Sequence, residues 1–142
     1  MSLPGPLQEI LDDLKLFPSR AERIDALIGW GDEFVNPGAD QLPRDEFRKV
    51  PGCESEVFVM SEADGEGRRY LFAVDNPQGI SAMALARILQ VGLNGLPDAE
   101  VQKVPDDIIF EIFGNELSMG KSLGLTGMVR MTKIESAKRN SV

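Results

Sequence analysis

The sixteen residues "ISAMALARILQVGLNG", positions 80–95, are apolar on nearly every side until Gly92 and Gly95 interrupt them. A helix with no polar face has nothing to offer water, so the rest of the chain has to be arranged around it. The pattern predicts a central, buried helix. Upstream, Leu7, Ile10, Leu11 and Leu14 recur at helical spacing behind Pro6, and "FPSRAERIDALIGW" places Ser19 and Glu22 as a capping box ahead of Ile24, Leu27 and Ile28. These read as two amphipathic helices. "VNPGADQLPRDEF" reads as loop, and "EFRKV" as a short strand leading into a Pro51-Gly52 turn. Val57 and Val59 then alternate with Phe58 and Met60, "SEADGEGRR" turns the chain, and "YLFAV" returns as the hairpin partner. After the central helix, Pro97 opens a short helix, "DDIIFEIFG" fits helix or strand, and "GLTGMVRMTKIESAKR" closes as a helix with Lys133, Lys138 and Arg139 near its end. Helices, then strands, then helices define the α+β class: a small, about three-stranded antiparallel sheet packed with helices. At 142 residues the chain has the size of a single domain, 1–142.

Charge and missing residue types narrow the chemistry. A net charge of -8 repels phosphate backbones and anionic headgroups, which argues against nucleic acid and membrane surfaces and for a basic protein partner. The opening "MSLPGPLQEI" lacks the basic and apolar regions of a secretory signal, so a cytoplasmic location is expected. With no histidine, the sequence offers neither a Ser-His-Asp triad, nor a Cys-His dyad, nor HExxH zinc chemistry. One cysteine cannot supply by itself the several thiolates of a zinc or iron–sulfur site, and no resident cofactor or metal is expected. The acidic pairs Asp12-Asp13 and Asp106-Asp107 read as charges at helix starts rather than as acid–base machinery. "GNELSMGKS", residues 114–122, imitates a phosphate-binding loop, but five residues separate Gly114 from Gly120 where that motif needs four, and only twenty follow Ser122.

Cys53 is left. Free cysteine is often a small buried hydrophobe, yet Gly52 before it and Glu54, Ser55 and Glu56 after it are flexible or polar. From these residues alone, core filler and reactive thiol are both open.

"VPGCESEV" resembles the Gly-Cys-x-Ser-x-Val signature of the SufE family of sulfur acceptors. The likeness extends through "SRAERIDALIGWGDEF", "FAVDNPQ", "GLNGLPDAEV" and "LSMGKSLGLTGMVRM". It implies the fold shared by SufE and IscU proteins, and a persulfide-transfer protein and desulfurase activator rather than a free-standing enzyme. Cys53 would accept sulfane sulfur from the persulfide of a cysteine desulfurase of the SufS or CsdA kind. It would then pass the sulfur to a SufB-like iron–sulfur cluster assembly scaffold. Pyridoxal phosphate would belong to the desulfurase, and this chain would hold only a transient persulfide. A lone thiol suits the task, because a second one nearby would divert the persulfide into an internal disulfide. Gly52, Glu54, Ser55, Glu56, Asp75 and Lys121 join Cys53 as loop and partner-contact candidates. Asp75 reads either as a neighbour of the cysteine loop or as the start of the turn "DNPQ", and Lys121 either as a solvated charge or as a docking contact. Where many relatives have Pro, Arg and Asn, this chain has Met119, Lys121 and Leu123, while Gly124 matches; Lys121 keeps the charge of Arg without its fork. Two alternatives stand beside this reading: a cluster-binding scaffold, and a noncatalytic desulfurase-interaction module in which Cys53 is structural.

Overall fold

The computed structural model describes residues 2–52, 56–76, 79–114 and 117–138. Its elements in chain order are α1 (Gly5–Lys15), α2 (Arg20–Asp32), β1 (Val57–Asp64), β2 (Gly67–Val74), α3 (Ile80–Leu93), α4 (Asp98–Val101), α5 (Ile108–Phe113) and α6 (Met119–Ser136). The helix that has no polar face to spare is the centre of the packing. α3 contacts α1, α2, β2 and α6, and buries Leu85, Ile88, Leu89 and Leu93 among them. α1 contributes the four residues its spacing selects, Leu7, Ile10, Leu11 and Leu14, all buried. Truncating any one such core Leu or Ile to Ala would cost about 2–5 kcal/mol, so this shared core dominates stability.

β1 and β2 form an antiparallel hairpin in register from Val57 opposite Val74 to Asp64 opposite Gly67. The alternation works on both faces. Val57, Val59, Tyr70, Phe72 and Val74 enter the helical core, while Phe58 and Ala73 pack under the fully buried Leu42 of the loop between α2 and β1. The sheet has two strands among the described residues, where the sequence predicts about three. "EFRKV" instead makes a 3-10 turn at Glu46–Arg48 and a single bridge from Lys49 to Phe58. Within that turn Asp45 pairs with Arg48, and Arg48 stacks on Phe47; Pro51, which has no N–H, stops any extension of the ladder.

The ambiguous "DDIIFEIF" is helical as α5 and buries Ile108, Ile109 and Ile112. Asp12 and Asp13 lie toward the end of α1, not at its start, because the helix begins at Gly5 with Pro6 in its first turn. Ser19 caps α2 as its spacing requires, its Oγ accepting from the Glu22 N–H at 3.2 Å. The face of α2 is only partly covered, however: Leu27 is buried but Ile24 and Ile28 are 43% and 40% exposed. Among the described residues no helix is long and apolar enough to cross a membrane.

Candidate functional site

Cys53, Glu54 and Ser55 lie outside the described residues, so the site is defined by what holds the chain on either side of them. Before them, the Val50 N–H donates to the Val57 carbonyl at 2.8 Å, and Gly52 turns the chain with φ +72°, a conformation that glycine adopts without steric cost. After them, the Glu56 carbonyl accepts from the Asp75 N–H at 2.9 Å. Both stems of the cysteine segment are therefore tied by backbone bonds to the open end of the hairpin. α6 passes beneath the first stem at close range. A Cβ at position 127 would stand 2.6 Å from Val50 Cγ1, so the approach depends on Gly127, and the Leu123 Cβ is 3.9 Å from where one would stand on Gly52.

The second stem is braced by a polar cluster. Arg44 Nε donates to Asp75 Oδ2 at 2.8 Å, and its other nitrogens donate to the Leu42 and Pro37 carbonyls at 2.6 and 2.8 Å. Asn36 bridges the same corner, donating to Asp75 Oδ1 at 3.1 Å and accepting from the Val74 N–H at 2.9 Å. The Arg44 hydrogen bond is the chief reason that the Asp75 carboxyl titrates below its ordinary value; partial burial opposes the shift and Asn36 adds to it. Beyond Asp75 the Gly79 N–H donates to the Asn76 carbonyl at 2.9 Å, while the Asp75 carboxylate is shared by Arg44 and Asn36.

The structure thus brings Gly52, Glu56 and Asp75 to one corner, with Glu56 exposed. Lys121 is exposed in the first turn of α6, whose start is capped by Ser118 accepting from the Lys121 N–H at 3.2 Å. Its side chain lines a neighbouring groove between α2, α3 and α6. Arg44, Asn36 and Leu42 are not visible as site residues in the sequence. They sit in an aperiodic loop, where only the lone Arg among turn formers hints at a tertiary role. The phosphate-loop imitation is settled by context: the element before it is α5, a helix, where that motif follows a strand.

Among the described residues, a braced two-stranded hairpin and six α-helices, with the lone-cysteine segment preceding the first strand in sequence, define an α+β protein. The sequence matches the model of the SufE family, the Fe-S metabolism associated domain, over residues 8–136. The chain belongs to the SufE family. It is similar to an uncharacterized SufE-like protein of Mycobacterium tuberculosis, 27% identical over 111 residues, covering 78% of this chain and 76% of that one. A second, of Rhizobium meliloti, is 25% identical over 136 residues and covers 94% of this chain and 96% of that one. The solution structure of a hypothetical protein from Thermus thermophilus superposes with a TM-score of 0.75 over 95% of this chain and 96% of its own, at 23% identity, and shows the same fold. The family places the chain in iron–sulfur metabolism.

Proposed function

We propose that this protein is a sulfur acceptor and carrier for a cysteine desulfurase, with Cys53 as the carrier thiol. The observation that carries the proposal is the Gly-Cys-x-Ser-x-Val segment, residues 52–57, inside the matched family domain and bounded by two backbone-tethered stems. A persulfide donor needs a thiol that can enter its active site on a short segment whose base does not wander, and such stems serve that need.

The chemistry balances without an added oxidant or reductant. The Cys53 thiolate attacks the outer sulfur of the desulfurase cysteine persulfide. The donor's S–S bond breaks, a new S–S bond forms on Cys53, and the donor cysteine leaves as thiolate. Delivery repeats the step in reverse, an acceptor thiolate on the assembly scaffold taking the outer sulfur and Cys53 leaving. Glu54 and Glu56 flank the thiol, and negative charge disfavours a thiolate. The free protein's Cys53 is therefore a sluggish nucleophile in this account, activated by positive charge or a base of the docked desulfurase.

The test is desulfurase turnover, read as alanine formed from cysteine, with the wild-type chain and with Cys53→Ser. Stimulation by the wild type and its loss in the variant support the proposal. Full stimulation by Cys53→Ser would make this chain an interaction module with a structural cysteine. Visible cluster absorbance on the protein after anaerobic reconstitution would favour a scaffold.

A further inference from the structure

The sulfur-transfer reading leaves one surface unused. Ile24 and Ile28 on α2 and Ile80 at the start of α3 are 43%, 40% and 49% exposed, although all three have the spacing or position of core residues. With Leu117 they line an open groove of about 420 Å³, and among the described residues the charged side chains lining it, Arg20 and Lys121, are both cations. That sign is the reverse of the molecule's, whose net charge is -8. Lys121 has no ion-pair partner among the described residues. α2, α3 and α6 all begin beside the groove, at Arg20, Ile80 and Met119, so their amide ends add to the positive potential.

We infer that this groove seats a segment of the cysteine desulfurase that presents apolar side chains flanked by carboxylates; the inference rests on the sulfur-transfer reading. Apolar walls take the anchoring side chains, and the Lys121 cation at the rim selects the acidic flank and orients it. Between Arg20 and Ile28 the groove follows α2 for about 12 Å, enough for two turns of a docked helix or a short extended segment. Phosphate polymers and anionic membranes meet the repulsion of the whole molecule, and a second copy meets it too, since each chain carries -8. A protein partner with its own basic surface elsewhere satisfies both signs. The groove is also well placed: Lys121 precedes by two residues Leu123, the α6 residue that stands against Gly52. A partner held there has the stem of Cys53 within one helical turn of its anchor.

The experiment measures the affinity of a purified SufS-type cysteine desulfurase for the full chain by calorimetry, with wild type, Ile28→Asp, Lys121→Glu and Lys121→Arg. The melting temperature and iodoacetamide rate of each free variant are followed alongside. Ile28→Asp should weaken binding about tenfold or more and Lys121→Glu about three- to tenfold, with Lys121→Arg close to wild type and the free proteins unchanged. If Ile28→Asp lowers the melting temperature, Ile24→Thr gives a milder reading, about threefold, at an equally exposed position. Unaltered affinities in variants that still take sulfur onto Cys53 would remove the groove as the docking surface and leave sulfur transfer standing. Loss of both binding and sulfur uptake by the wild type, against every desulfurase tried, would remove both readings. A dimer of the free chain that Ile28→Asp splits would assign the groove to a second copy and overturn the inference.

Discussion

Arg44 shows how one side chain can brace the base of a segment without belonging to it. Its guanidinium joins the Asp75 carboxylate to two loop carbonyls, and Asp75 in turn holds the Glu56 end of the cysteine segment. A partly exposed ion pair contributes about 0–1 kcal/mol, whereas stranding two carbonyls and a carboxylate costs more, so the two ends of the pair are not equivalent. Arg44→Ala should destabilise by about 2 kcal/mol and Asp75→Asn by under about 1 kcal/mol in urea denaturation. Equal losses would show that only the pair matters. The pH dependence follows from the direction of the Asp75 shift. Because folding depresses this carboxyl, its contribution is complete above the ordinary value of 3.8 and is lost as pH falls through the lower folded value. The stability gap between wild type and Asp75→Asn should therefore persist at neutral pH and close below 3.8. A gap unchanged in acid would mean that the carboxylate's charge is not what Arg44 uses. At the thiol itself, replacing Glu54 and Glu56 by Gln should raise the iodoacetamide rate of Cys53 several-fold at neutral pH. A wild-type rate already typical of a strongly activated cysteine, unaltered by the double replacement, would contradict the repressive role of the acids.

Elements with a strong period were legible, and their surroundings were not. α1, the hairpin and α3 could be drawn from spacing because burial acts directly on the side chains that repeat. Periodicity says which residues share a face, but not what covers it. For that reason α2 keeps the predicted cap at Ser19 while its Ile24 and Ile28 face a groove instead of the core. The third strand failed for a related reason, since a local turn held by Asp45 and Arg48 outcompeted a ladder that Pro51 could not continue. Of the site, the cysteine motif was readable, whereas Asn36 and Arg44 act across 39 and 31 residues of chain that no local pattern connects. Two glycines make the tertiary dependence measurable. Gly29 in α2 has open space at its Cβ position, so Gly29→Ala should stabilise by about 0.5–1 kcal/mol through helix propensity and unfolded-state entropy. At Gly127 the new methyl would meet Val50 Cγ1 at 2.6 Å, and Gly127→Ala should instead destabilise by about 1–3 kcal/mol while changing the alkylation rate of Cys53. Thermal melts that rank the two variants the other way would contradict the close approach of α6 to the cysteine stem.

For the molecule as a whole, one core shared by the four long helices α1, α2, α3 and α6 and the hairpin implies that the chain unfolds as one unit. Far-ultraviolet dichroism and Trp30 fluorescence should give coincident denaturation curves, and separated midpoints would divide the chain into independent parts. The same architecture suits the sulfur-carrier reading proposed above. The helices pack on the hairpin, the hairpin ties both stems of the cysteine segment, and the sequence carries no second thiol to compete for the sulfur. The most direct measurement mixes the full chain with a cysteine desulfurase and cysteine, quenches, and reads the intact mass. The account predicts a gain of about 32 Da that is removed by reductant, maps to the peptide containing Cys53 and is absent from Cys53→Ser. A chain that stimulates the desulfurase yet never gains that mass would contradict it.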